Sequence, residues 1–150
     1  MTTLLLSLHP QHSKNILDGK KTIELRKVSP KHELPDFLPS GKFNRNSILF
    51  PGFTQVLIYE VKPTAAILGI VKPVEILERT CSEWHKFTSE LCLSIYDIEE
   101  YLGGRCGYGI KLKNPQKINP IPLSKMKELG ISPPQCYRYL SDELVDQLLN

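Results

Sequence analysis

Long apolar runs are missing from this 150-residue chain. A membrane-spanning helix needs about 18–20 consecutive apolar residues, and no stretch of the sequence approaches that length. The first residues, Met1–Leu8, are apolar but have neither a basic start nor a small-residue cleavage site, and a secretory signal peptide carries both. We therefore expect a cytoplasmic protein that makes no contact with a membrane.

Cysteine is also scarce, and its spacing argues against cysteine-based sites. Cys81, Cys92, Cys106 and Cys136 are too few and too scattered for a disulfide framework. Cys81 and His85 stand one helical turn apart, which suits half of a zinc site, but no second ligand pair follows at finger-like spacing. Buried free thiols are the simpler interpretation, so we predict neither a metal nor a cofactor.

Charge of one sign is in only slight excess, with a formal net charge of +3, but it is unevenly distributed. Residues 1–50 carry 8 Lys and Arg against 4 Asp and Glu, and residues 101–130 carry 6 against 1. Residues 60–100 show the opposite bias, 4 against 8. If the two basic stretches meet, they form a positive face that suits a polyanion; a mixed, solvated surface explains the charges equally well.

The hydrophobic pattern predicts short strands and helices in the order β-α-β-β-β-α-α-β-α. Strands are predicted at residues 3–8, 21–27, 54–60, 65–78 and 106–113, and helices at residues 11–18, 80–91, 94–102 and from Ser141 onward, with a helical turn at 123–129. Pro10 before the first helix and Gly19 after it match the usual residues at helix ends. Gly69 and Pro73 predict a bulge or bend in the long fourth strand.

This order lacks regular βαβ alternation and fits one domain over residues 1–150. We expect a mainly β, α+β fold in which a curled antiparallel sheet carries short helices at its ends. The segment Val28–Pro51 is irregular and rich in proline, and loops of that length tend to be lids, binding loops or disordered. Its basic tip, Lys42–Asn46, suits nucleic acid, although a mobile solvated loop fits as well.

The stretch Asp18–Lys27 combines a helix stop, a tight turn and the start of a charged strand. Because side chains alternate along a strand, Glu24 and Arg26 share one face, and the apolar residues between and before them take the other. Lys21 has the opposite parity. It can join Glu24 and Arg26 only if it lies in the turn before the strand, or if a bulge follows it.

Gly19, Lys21, Glu24 and Arg26 match the G-x-K-x-x-E-x-R signature of the ASCH domain, a relative of the PUA RNA-binding domain, and the chain resembles that family over nearly its whole length. The resemblance is carried by the blocks LLSLHPQHSKNILDGKKTIELRK, VLIYEVKPTAAILGIVKPVEI, GYGIKLKNPQKINPIPL and PPQCYRYL. It implies a PUA-like β-barrel whose cleft is floored by the signature strand and holds RNA or a nucleoside-like ligand.

Some members of the family are hydrolases. They include a small amidohydrolase that deacetylates N4-acetylcytidine, and others cut RNA. In that amidohydrolase the signature lysine is the catalytic group, and a threonine stands at the position that matches Glu24. The resemblance therefore implies Lys21 and Glu24 as catalytic residues only if this chain is an enzyme.

The signature side chains suit a nucleotide. Arg26 offers a planar fork and Lys21 a point charge to a phosphate, and Glu24 can accept a hydrogen bond from an exocyclic amine such as that of cytosine. Lys21 becomes a nucleophile or a general base only if burial or neighbouring cations lower its pKa. The plainer alternative is a surface ion pair between Glu24 and Arg26, worth less than about 1 kcal/mol.

Several aromatic and polar residues are further candidates for ligand binding: His9, Tyr59, Tyr108, Gln135, Tyr137 and Arg138. Stacked aromatic rings contribute about 1–3 kcal/mol per base, although strand tyrosines are often half-buried sheet residues. Our first hypothesis is an RNA- or nucleotide-binding ASCH protein. The alternatives are a hydrolase that uses Lys21, acting on a modified nucleoside or on RNA, and a partner-docking module that uses the long loop. The sequence leaves the ligand and the oligomeric state open.

Overall fold

The computed structural model describes residues 2–33 and 48–150. Its strands are β1 (Thr2–Leu8), β2 (Ile23–Arg26), β3 (His32–Glu33), β4 (Ile48–Pro51), β5 (Gln55–Glu60), β6 (Ala66–Arg79), β7 (Gly107–Pro122) and β8 (Tyr137–Ser141). Its helices are α1 (Pro10–Leu17), α2 (Cys81–Trp84), α3 (Thr88–Leu91), α4 (Ile95–Leu102), α5 (Leu123–Glu128) and α6 (Asp142–Leu149). A 3₁₀ turn, His85–Phe87, separates α2 from α3. No helix in the described part of the chain is long and apolar enough to cross a membrane.

Local end signals place most of the helices. α1 begins at Pro10, and Gly19, two residues past its end, has a φ of 79°, in the left-handed region that glycine adopts without strain. Thr80 opens α2 and Ser94 opens α4, each with a reciprocal capping box to the residue three positions on. The single helix predicted over residues 80–91 is instead broken by the 3₁₀ turn.

The chain divides into two compact units. The first comprises Met1–Gly19, Phe53–Lys72 and Asn114–Asn150. In it β1 pairs in parallel with β5 and antiparallel with β8, and β5 pairs antiparallel with the start of β6. The register shifts between Ile58 and Tyr59, where Ile58 pairs with Gly69, so the predicted bulge is confirmed. Its core is apolar: Leu5, Leu57, Tyr59, Ile67, Ile121, Met126, Ile131, Leu140, Val145 and Leu148.

The second unit comprises Lys20–Gly52 and Pro73–Lys113. β2 pairs antiparallel with the start of β7, and β4 pairs antiparallel with both β3 and the end of β6. The helices α2, α3 and α4 cover one side of this unit with a core cluster: Ile23, Leu25, Leu77, Cys81, Trp84, Leu91, Ile98 and Leu102. The predicted basic tip, Lys42–Asn46, lies outside the described residues.

The mixed α+β fold is confirmed, but the expected closed barrel is wrong. Strand pairing follows the path β2-β7-β6-β5-β1-β8, with β3 and β4 attached beside β6. β2 and β8, only four and five residues long, end this path. Within the described residues each pairs with one neighbour and not with the other end strand, so the sheet stays open. That residues 1–150 form a single domain stays a prediction.

Candidate functional site

β2 presents two different faces. Ile23 and Leu25 are 1% and 4% exposed and pack in the core of the second unit. Glu24 and Arg26 point the other way, as the alternation predicts. On β7, Tyr108 lies directly opposite Arg26, and opposite residues of an antiparallel pair share a face. We call this side of the strand pair the charged face. It consists of Glu24, Arg26 and Tyr108, together with Lys21 and Glu78, whose contacts with them are described below.

Lys21 joins this face from the turn. The strand begins only at Ile23, so Lys21 is not bound by strand parity, and its Nζ lies 3.5 Å from Oε1 of Glu24. The geometric condition set by the sequence is therefore met. Nζ also donates a hydrogen bond to the backbone carbonyl of Leu91, at the end of α3, which fixes the position of the ammonium group.

Glu24 links the two cations. Its Oε2 lies 2.8 Å from Nη2 of Arg26, while its Oε1 faces Lys21. The three residues are only 2% (Lys21), 7% (Glu24) and 9% (Arg26) exposed. A weak surface ion pair is therefore the wrong description, because these charges are withdrawn from water and held by one another.

Burial changes the acid–base properties of this face. Desolvation lowers the pKa of Lys21, and the neighbouring Arg26 acts in the same direction, while the Glu24 carboxylate opposes it. Desolvation also raises the pKa of Tyr108 to about 12, aided by a hydrogen bond to Glu78 and by the charge of that carboxylate. The site thus combines an ammonium group that gives up its proton more readily with a phenol that holds its proton more firmly.

Glycines on β7 let the opposite face pack closely. A Cβ built at Gly109 would lie 2.2 Å from Cη2 of Trp84 and 2.7 Å from Cγ2 of Ile23, so only glycine fits there. The Trp84 indole also donates a hydrogen bond of 3.1 Å to the backbone carbonyl of Gly107. The group that approaches the β7 backbone on either side of Tyr108 is therefore a core tryptophan.

The other sequence candidates belong to the first unit. His9 is exposed at the start of α1 and makes no side-chain cap. Tyr59 is 4% exposed and packs in the core. Gln135 is exposed, and Arg138 lies half-buried with its Nη1 3.4 Å from the carbonyl of Ser132.

Tyr137 belongs to an aromatic group on β8 that the sequence reveals only in part. Its ring meets Tyr139 edge-on at 6.0 Å, and Tyr139, which is 37% exposed, also contacts Phe53 at 6.5 Å. Tyr139 was not among the candidates, although its two-residue spacing from Tyr137 on a strand would have identified it.

Two buried carboxylates were also missed. Glu78, 6% exposed, stands near the end of the largely apolar strand β6, which also carries Glu75, so the strand pattern does not single it out. Glu60, 9% exposed, accepts hydrogen bonds from Ser13 and Thr64. Each is stabilised by side chains that are distant in sequence or in a loop, and a pattern along one strand does not show such partners.

Comparison with known proteins identifies relatives along nearly the full chain. No family model matches. The chain is 26% identical, over 150 residues, to an ASCH domain-containing ribonuclease of Zymomonas mobilis, covering 97% of this chain and 89% of the relative. A crystal structure of ASCH from Zymomonas mobilis superposes with a TM-score of 0.77 at 25% identity, covering 97% of this chain and 92% of the other. A serine-to-alanine variant of ZmASCH gives 0.78 at 26% identity, covering 97% and 93%.

These structures share a mixed α+β fold with this chain. The likeness along nearly the full chain bears out the resemblance to ASCH-domain proteins that the four signature residues predicted.

Proposed function

We propose that this protein binds RNA and cleaves it at the charged face, with Lys21 and Glu24 as the catalytic residues and Arg26 as the phosphate-binding residue. The observation that carries the proposal is the burial of two cations and a carboxylate in direct contact. The Zymomonas mobilis relative, a ribonuclease by name, supports RNA as the substrate.

Stability alone accounts poorly for this arrangement. Removing an ion from water costs several kcal/mol, and buried ion pairs are often no more stable than apolar residues of similar size. Strongly shifted pKa values in a polar cluster are typical of sites that move protons or bind charged ligands. The pKa of the Lys21 ammonium is lowered by burial, a direction that is compatible with such a role.

The chemistry of RNA cleavage fits these groups without a metal. Glu24 removes the proton of a ribose 2′-hydroxyl, the 2′-oxygen attacks the adjacent phosphorus, and the bond from phosphorus to the 5′-oxygen breaks. The Lys21 ammonium donates its proton to that leaving oxygen, while Arg26 balances the charge on the non-bridging oxygens. The products are a 2′,3′-cyclic phosphate and a 5′-hydroxyl end. A lowered pKa makes Lys21 a better proton donor than an ordinary lysine.

The first unit carries aromatic side chains of its own that suit single-stranded RNA. Tyr137 and Tyr139 present aromatic rings on β8, and Arg138 lies between them in sequence. Bases stack on such rings with little regard to sequence. We propose these residues, with Gln135 and His9, as RNA-binding residues of the first unit in their own right; a cytoplasmic location remains a prediction from the sequence.

The test is cleavage of end-labelled single-stranded RNA by the wild type, by Lys21→Met and by the control Lys20→Met. Lys20 is the exposed neighbour of Lys21, so its variant removes the same charge outside the cluster. We expect cleavage to fall at least about 100-fold in Lys21→Met and to stay near wild type in Lys20→Met. Equal cleavage by the two variants, or none by the wild type, would contradict the proposal.

A second candidate is deacetylation of N4-acetylcytidine, which the lowered pKa of Lys21 also favours, since a neutral amine can act as a base. The same three proteins, tested on the free nucleoside, separate the two functions. Release of acetate by the wild type and not by Lys21→Met, without RNA cleavage, would select this alternative.

A further inference from the structure

We propose that Cys81, His85 and Glu99 bind one zinc ion that links α2 to α4. The three residues offer a sulfur, a nitrogen and a carboxylate oxygen that all lie within 4.8 Å of one another. The sequence showed only the first two, because Glu99 lies on a separate helix 14 positions after His85.

The helices hold the three side chains in place. Cys81 begins α2, and His85, four residues on, is its C-cap and the first residue of the 3₁₀ turn, so the two lie one helical turn apart. Cys81 and Trp84 of α2 pack in the same core cluster as Ile98, the α4 residue beside Glu99. The backbones that carry the ligands are therefore fixed before any ion arrives, which is the condition for a preorganised site.

The donor set favours zinc. Thiolate sulfur, imidazole nitrogen and carboxylate oxygen are all ordinary zinc ligands, whereas magnesium and calcium prefer oxygen alone. In a tetrahedral zinc site, neighbouring ligand atoms lie about 3.3–3.6 Å apart. The observed limit of 4.8 Å requires side-chain shifts of about 1 Å, and three protein ligands leave the fourth position to water.

An ion pair between His85 and Glu99 is the simpler explanation of their contact. Nε2 of His85 lies 2.8 Å from Oε1 of Glu99. This nitrogen is nevertheless buried and makes no hydrogen bond of acceptable geometry within the described residues. The ring is thus close to the carboxylate without being aimed at it, which leaves this nitrogen available to an ion.

Exposure is graded across the site. The Cys81 residue is 7% exposed, and the side chains of His85 and Glu99 are 27% and 52% exposed. The Glu99 side is therefore the open side of the cluster, from which an ion would enter.

The test uses the full-length protein, freed of metal by a chelator and titrated with zinc alone or cobalt alone. We expect one zinc ion per chain, a higher Tm on addition of zinc, and the absorption band of a thiolate bound to cobalt. Cys81→Ala removes the band, and Glu99→Gln weakens zinc binding by at least about tenfold. Because Glu99 is half exposed, its variant will fold even if the buried Cys81 variant does not.

The variants Cys81→Ala and Glu99→Gln each have a matched control. Cys92→Ser removes a cysteine outside the cluster, and Glu100→Gln removes the acidic residue next to Glu99. Both controls keep wild-type zinc affinity and the cobalt band. Substoichiometric binding by the wild type, a band that survives in Cys81→Ala, or equal affinity of Glu99→Gln and Glu100→Gln would overturn the proposal and leave a surface ion pair beside a thiol.

Discussion

The strand pair of β2 and β7 has an apolar face on one side and a charged face on the other, formed by alternate residues of the same short strands. On the apolar side, Ile23 and Leu25 pack with Trp84, which lies against Gly109. On the other side, Glu24 and Arg26 are nearly as well buried, but their partners are charges. Two faces of similar burial therefore differ in what their burial contributes to stability.

Burial of the two faces contributes to the free energy of folding with opposite signs. Burying an aliphatic or aromatic side chain stabilises the fold by about 1.5–3 kcal/mol. Burying an ion costs several kcal/mol, which its partners offset only in part. The comparison teaches that the apolar face explains why the strand pair forms, and that the charged face needs an explanation from function.

The largest effect on stability is expected from Trp84→Ala. Trp84 is fully buried, and removal of such a side chain costs about 3–5 kcal/mol. Urea unfolding measures this loss, and RNA cleavage by the fraction that remains folded should be close to wild type. A loss below about 1 kcal/mol would show that the apolar face does not stabilise the second unit as described.

A smaller loss is expected from Gly109→Ala, at about 1–3 kcal/mol, because the added methyl group overlaps Trp84. Trp84→Phe removes the overlapping ring atoms. The double variant Gly109→Ala, Trp84→Phe should therefore be more stable than the sum of the two single losses predicts. Strict additivity in the unfolding free energies would mean that the two residues do not meet.

On the charged face, Tyr108→Phe is expected to cost about 1 kcal/mol, since it removes the hydrogen bond to Glu78. Because folding raises the pKa of Tyr108 from 10.0 to about 12, its stabilising contribution is fully present below pH 10 and is lost as the pH rises through about 12. Tyr59 and Tyr96 also have raised pKa values, so the test is whether the latest-titrating phenol of the wild type in an ultraviolet titration is missing from Tyr108→Phe. Its persistence in the variant would assign that phenol to another tyrosine.

The smallest expected effect on stability is the pH dependence that comes from Lys21. Because its folded pKa is lowered from 10.5, the cost of burying the ammonium is absent above pH 10.5 and grows as the pH falls through the folded value. The stability of the wild type relative to Lys21→Met should therefore increase as the pH rises toward 10.5. Lys20→Met provides the control and should show no such trend. A pH-independent difference for Lys21→Met would mean that the pKa of Lys21 is not shifted.

The sequence predicted those features that are set by residues close to one another along the chain. Pro10 and Gly19 at the ends of α1 and the cap residues Thr80 and Ser94 are local signals. The convergence of Lys21 with Glu24 and Arg26 also follows from a few residues of one turn and one strand, although the sequence stated it only as a condition.

The predictions that failed, and the partners that were missed, depend on contacts between residues far apart in sequence. Closure of the sheet is decided by whether β2 and β8 pair, and no local pattern reports that. Glu78 joins Tyr108 from another strand, and Glu99 joins Cys81 from another helix. The thiols were also predicted too uniformly: Cys81 is buried, but Cys136 is exposed.

The most direct test of the central claim is the unfolding free energy of Lys21→Met, measured on the protein sample used for RNA cleavage. The variant leaves Glu24 paired with Arg26 at 2.8 Å, so no uncompensated carboxylate remains. We predict a stability within about 1 kcal/mol of wild type together with a loss of cleavage of at least about 100-fold. A stability loss above about 3 kcal/mol, with unchanged cleavage by the folded fraction, would contradict the account and make the charged face a structural element.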